Sequence, residues 1–129
     1  MFSLTKQERL CSKYRIDSLF SQGKAFISYP FSVRYLCEKG DGKLSVLIVC
    51  SKRYHKKAVN RNYIKRRIRE AWRLNNHALK DILMKNKSNM EVSLSFVSKD
   101  KYNYHEIAKQ IKKILFNLEH SFAKKNKVH

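Results

Sequence analysis

The chain is sparing with the residues that break regular structure. It has one proline, Pro30, and 3 glycines in 129 residues, so turns should be few and the elements between them long. Acids are scarce too, 10 Asp and Glu against 29 Lys and Arg. No Asp-x-Asp pair or carboxylate cluster appears, and a metal-dependent nuclease needs such a cluster to hold its ions. His55, His77, His105 and His120 stand apart from one another and read as solvated or satisfied by packing. Cys11, Cys37 and Cys50 are odd in number, widely spaced and unlike a zinc pattern, so they read as small core or surface thiols. No apolar run approaches the ~20 residues of a membrane-spanning helix. Lys6, Glu8 and Arg9 interrupt the N-terminus with no apolar signal segment after them. The expectation is a cytoplasmic protein. There is no internal repeat and no low-complexity linker.

What is present is apolar content and positive charge together. Hydrophobic residues make up 43% of the chain, enough for the core of one domain, and the net charge is +19. A disordered polycation would lack that apolar content. A compact fold with so much like charge repels itself unless a polyanion neutralises it. Nucleic acid is the first candidate for that polyanion and an anionic membrane surface the weaker second.

Along the chain, Thr5 and Glu8 fit a capping box. Ser12 suits the cap of a short helix in which Ile16, Leu19 and Phe20 share a face, with Gly23 at a left-handed stop. Lys24–Tyr29 reads as an edge strand. Phe31, Val33 and Tyr35 alternate with Ser32 and Arg34. After the turn residues Glu38–Gly42, Leu44, Val46, Ile48 and Cys50 alternate with apolar Leu47 and Val49, which predicts a central strand covered on both faces. Ser51–Lys57 reads as a loop, followed by a helix capped near Asn60 and running to about Asn76 or on to Met84. Lys85–Asn89 breaks it. Met90, Val92, Leu94 and Phe96 alternate with Glu91, Ser93 and Ser95 in a further strand. Asn103 and Glu106 cap a last helix with the stripe Ile107, Ile111, Ile114, Leu115, Leu118 and Phe122.

The order helix, strands, helix, strand, helix predicts an α/β (α+β) domain, a sheet of about four strands packed by helices. The domain is expected over residues 1–123, with 124–129 as a frayed basic end. Strand 44–50, the basic helix and strand 90–97 make a β-α-β unit whose crossover is right-handed by general rule.

The densest feature is Lys52–Arg73, in which 10 of 22 residues are Lys or Arg and only Glu70 is acidic. At ~100° per residue, Ile64, Ile68, Ala71 and Trp72 form one sector. Asn62, Lys65, Arg66, Arg69 and Arg73 form another, with Arg61 near the border. Such a helix lies on a core while offering guanidinium forks to phosphate. Its N-terminus, preceded by Lys52, Arg53, Lys56 and Lys57, adds backbone N–H groups suited to an anion. Like charges with few acidic partners at i±4 weaken a helix, which speaks against a merely solvated face. The preceding element is a loop after a strand, which argues against a helix-turn-helix DNA reader. A sheet with exposed polar and aromatic side chains suits single-stranded RNA.

The sequence Ser51-Lys-Arg53, Lys56-Lys-Ala-Val59 and Arg61-Asn62-Tyr-Ile-Lys-Arg-Arg-Ile-Arg-Glu-Ala-Trp72 resembles the signature of the bacterial ribonuclease P protein component. Leu4-Thr-Lys, Ile16 to Phe20 and Gly23 are similar to the family's opening, and Tyr102-Asn-Tyr104 to the entry of its last helix. Nearly the whole chain is covered. The family's Arg-Asn-Arg becomes Arg61-Asn62-Tyr63 here, and Ile16 stands where an aromatic is common.

This resemblance implies a protein subunit of ribonuclease P, an endoribonuclease in which a catalytic RNA removes the 5′ leader of precursor tRNA. Catalysis would be carried by the RNA and by no protein side chain, with Mg²⁺ held mainly by the RNA. It implies a left-handed β-α-β crossover in place of the general rule. It assigns Lys52, Arg53, Lys56, Lys57, Arg61, Asn62, Lys65, Arg66, Arg69 and Arg73 to the catalytic RNA. A cleft of Ile16, Phe20, Ser32 and Arg34 would take the leader. DNA and membrane are not expected partners. The alternative is a structural RNA-binding protein of ribosomal type without a processing role.

Overall fold

A computed structural model describes residues 13–100 and 102–127, with side chains through residue 121. The Thr5–Glu8 box, Ser12, Cys11 and the Phe122 side chain lie outside the described residues. The order is α1 (Lys13–Gln22), β1 (Lys24–Ser28), β2 (Phe31–Lys39), β3 (Leu44–Cys50), α2 (Ala58–Asn75), α3 (His77–Lys85), β4 (Ser88–Phe96) and α4 (Tyr104–Lys127).

The four strands form one sheet in the order β1-β2-β4-β3. Neighbours β1–β2 and β2–β4 are antiparallel, and β3–β4 is parallel. Because side chains alternate across a strand, the register decides which residues share a face. Phe31, Val33 and Tyr35 lie opposite Phe96, Leu94 and Val92, and those three in turn lie opposite Cys50, Ile48 and Val46. This inner face meets Ile64, Ile68, Ala71 and Trp72 of α2, Leu79 and Leu83 of α3, and Ile107, Ile111, Ile114, Leu115 and Leu118 of α4 in one core. Helix α1 packs on the other face, against β2 and β4. Three layers result, with one helix outside and three inside.

Three expectations need correction. The strand β3 is at the edge of the sheet, not its centre, and β4 is interior. Apolar residues on both sides of a strand say nothing of how many hydrogen-bonded neighbours it has, and on the outer face Leu47 and Val49 are only half-buried. Helix α2 begins at Ala58, and Lys57 holds the cap position without a side-chain cap, so Asn60 falls in the first turn. Gly23 is not left-handed; the glycine with positive φ is Gly42, at +97°. Gly23 is needed for closeness instead, since a Cβ there would lie 2.4 Å from the Leu19 carbonyl oxygen.

Other local readings match the structure. Asn103 Oδ1 accepts from the Glu106 N–H at 2.9 Å, and Glu106 Oε1 accepts from the Asn103 N–H at 3.1 Å, a reciprocal cap that starts α4. The helical stretch predicted to reach Asn76 or Met84 does both, as two helices broken at Asn76. The Asn89 side chain accepts from the N–H groups of Gly42 and Lys43 at 3.1 and 2.8 Å and ties the β2–β3 turn to the start of β4.

Candidate RNA interface

The 18 residues of α2 sort as their spacing requires. Ile64, Ile68, Ala71 and Trp72 are buried, while Asn62, Arg66 and Arg69 are exposed and Lys65 and Arg73 half-buried beside them. Burial pushes the Cys50 thiol pKa up, against the smaller lowering effect of the Lys65 and Arg61 charges. That coupling places this flank of α2 by the C-terminal end of β3.

The preceding loop is built, not slack. The His55 ring is buried, with Nε2 2.8 Å from the Ser98 carbonyl oxygen and the ring 5.8 Å from that of Phe96. Arg61 Nη1 donates to the carbonyls of His55 and Lys56 at 3.0 and 2.7 Å. Arg61 thus spends part of its fork shaping the loop. Lys52, Arg53, Lys56 and Lys57 stay exposed on it, and the Arg53 N–H donates to Ser51 Oγ at 3.0 Å.

Tyr63 points to the other flank of α2. Its ring lies 3.8 Å below the Arg67 guanidinium carbon, a cation–π stack between residues one turn apart. The position where the family motif has arginine is therefore not a gap in the Asn62/Arg66/Arg69 row. It carries a guanidinium held by an aromatic.

On the opposite face of the sheet, α1 buries Leu19 completely and leaves Phe20 41% exposed. Arg34 Nη1 donates to the Phe20 carbonyl oxygen at 3.1 Å, and its guanidinium sits 5.4 Å from the Phe20 ring centroid. Arg34 pairs across the strands with Ser93, and Ser32 with Ser95, so Phe20, Ser32 and Arg34 share one surface. Ile16, on the same helix, is half-buried. An aromatic face, a guanidinium and hydroxyls in a shallow cleft can stack on a base and grip a phosphate.

What holds α1 in place was not anticipated from the sequence. Arg15 donates from Nη2 to Glu38 Oε2 at 2.8 Å and from Nε to Glu91 Oε2 at 3.0 Å. The Arg15 pKa is raised by those bonds, that of Glu91 first. Glu91, which alternates with the core residues of β4, is 5% exposed, and Ser93 is buried beside it. Arg15 and Glu91 are 76 positions apart, and no local pattern links them. An acid in the middle of an otherwise Ser-rich strand face was the one available hint.

Among the described residues, no group of three or more His, Cys, Asp or Glu is placed to hold a metal ion, and no helix is long and apolar enough to cross a membrane.

Comparison with known proteins identifies the family and the fold. The family model described as Ribonuclease P matches residues 4–119. The ribonuclease P protein components of two strains of Porphyromonas gingivalis are 34% identical over 119 residues, covering 91% of this chain and 87% of theirs. The fold is shared with the RNase P protein of Thermotoga maritima at a TM-score of 0.66 and 21% identity, over 84% of this chain and 94% of that one. It is shared with the Staphylococcus aureus RNase P protein at 0.61 and 20% identity, over 88% and 96%. An α+β domain with an arginine-lined helix on one side and an aromatic–arginine cleft on the other, matched over nearly its whole length, this chain belongs to the ribonuclease P protein family.

Proposed function

We propose that the Asn62/Lys65/Arg66/Arg69/Arg73 flank and its loop bind the catalytic RNA of ribonuclease P, and that the cleft under α1 binds the 5′ leader of precursor tRNA. The observation that carries this reading is the separation of two chemistries onto two faces. The α2 flank offers unstacked charge, suited to the backbone of a folded RNA. The cleft offers Phe20 and Arg34 in mutual contact, suited to unpaired nucleotides. Bond cleavage belongs to the RNA. Its phosphates would hold the Mg²⁺ that the cleavage needs. The protein would act in the cytoplasm as the part of a ribonucleoprotein that raises affinity for leader-bearing substrate.

Reconstitution tests this. Adding the protein to catalytic RNA and precursor tRNA at low Mg²⁺ should increase 5′-leader removal over RNA alone. No increase would sink the assignment, and cleavage by protein alone would move the chemistry to it. Within the holoenzyme, Arg34→Ala should weaken binding of precursor tRNA about tenfold, since a charge-assisted contact is worth ~1.5 kcal/mol, and leave mature tRNA unaffected. Phe20→Ala, which spares the Arg34 side chain, should act in the same direction. Equal losses on precursor and mature tRNA would contradict the leader assignment.

A further inference from the structure

The β1 edge of the sheet carries a groove that belongs to neither surface. It lies between Ser28, the last residue of β1, and the middle of α4, where Lys112, Lys113, Phe116 and Asn117 line a volume of about 340 Å³. Phe116 leaves 59% of its surface exposed. Its ring meets the His120 imidazole edge-on with centroids 4.2 Å apart, so a neighbour one turn on helps to position it.

A lone exposed phenylalanine is ordinary; the surroundings of this one are not. Lys109, Lys112 and Lys113 are all exposed on the same outward side of α4. Lys109 and Lys113 are four residues apart, a spacing at which like charges cost a helix stability. Neither is paired with a carboxylate among the described residues, and nearby Glu106 is turned into the helix cap. Ser28 and Asn117 add a hydroxyl and an amide. A ring, cations and small hydrogen-bonding groups around a groove match the requirements of an unpaired stretch of RNA, which stacks its bases and seats its phosphates.

The groove's neighbours indicate which RNA. Ile27 is 77% exposed and lies across from Ser32, on the cleft face. Tyr29 is 59% exposed in the turn directly after Ser28. Phe20, Ile27, Tyr29 and Phe116 thus mark a trail of exposed rings and apolar side chains around the β1 edge, with Arg34 at one end and Lys112 and Lys113 at the other. We infer that the α4 groove binds the 5′-distal part of the leader, continuing the strand that begins in the cleft. The inference rests on the leader reading of that cleft.

The test uses the reconstituted holoenzyme and a series of precursor tRNAs that differ in leader length. The variant Phe116→Ala/Lys112→Gln/Lys113→Gln should bind long-leader precursors about tenfold more weakly than the unaltered protein. Precursors whose leader ends within the cleft, mature tRNA and the catalytic RNA should bind as before. All three side chains are exposed, so the thermal midpoint should hold. Undiminished binding of the longest leaders overturns the inference. So does a loss that is the same at every leader length, or a loss confined to the catalytic RNA, which would make the patch an assembly surface. Arg34→Ala separates the two readings. If it too fails to distinguish leader from no leader, the cleft assignment has failed; if it succeeds while the α4 variant does nothing, only the extension has.

Discussion

Replacing Arg66 and Arg69 together with alanine is expected to reduce affinity for the catalytic RNA about a hundredfold. Both side chains are exposed on one flank of α2 and neither is engaged with the protein's own carbonyls as Arg61 is. Each lost charge-assisted contact to phosphate is worth ~1.5 kcal/mol, or about tenfold, and the two should nearly add if they meet different phosphates. Counterion release supplies an independent readout. The slope of log affinity against log salt should fall by about two, one per phosphate contact. Arg67→Ala is the contrast. Arg67 lies over the Tyr63 ring on the other flank, so it should change affinity and slope much less. An unchanged salt slope in the double variant would remove this flank from the interface, and an Arg67 effect as large would move the interface around the helix.

The largest loss of stability should come from Trp72→Ala. Trp72 is 1% exposed and packs in the core beside Ile68 and Ala71 under the same helix that carries Arg69 and Arg73. Truncating a buried tryptophan costs ~3–5 kcal/mol, because transfer free energy is lost and a cavity remains. Domains of this size are commonly stable by only ~5–15 kcal/mol, so the variant should be close to unfolding at physiological temperature. Urea denaturation should show the midpoint falling with little change in slope. Leu74→Ala, two residues on but 45% exposed, should cost less than ~0.5 kcal/mol. Similar losses for the two would contradict the sorting of α2 into a buried and an open side.

Much of this architecture is legible in the chain because its causes are local. The alternation at Phe31–Tyr35 and Met90–Phe96, the reciprocal cap at Asn103 and Glu106, and the two sectors of α2 depend only on spacing along a strand or helix. The exposed apolar residues were also constrained. With Leu19 and Phe20 adjacent on α1, only one of them can point fully inward, and the structure gives that place to Leu19. The errors share a different cause. The position of β3 at the sheet edge follows from its pairing with β4 alone, a long-range parallel partnership that the composition of β3 does not encode. Gly23 was read for its φ, but its constraint is the carbonyl of Leu19 and the approach of Tyr35. The burial of Glu91 and Ser93 has no local signal either, because α1, which packs on that face, is distant in sequence.

By itself, then, the sequence determined that this protein folds as one small α+β unit and that one helix carries a sector of arginine on a strongly basic chain. Both follow from periodicity and from a net charge of +19, which no rearrangement of the chain can remove. The tertiary structure decided where α1 sits, through Arg15 reaching Glu38 and Glu91. It decided that Arg34 meets Phe20, that Tyr63 carries Arg67, and that Ser28 faces Phe116 across a groove. These are meetings between residues brought together by a shared core, and their geometry exists only once the sheet has chosen its register and the helices have covered its two faces.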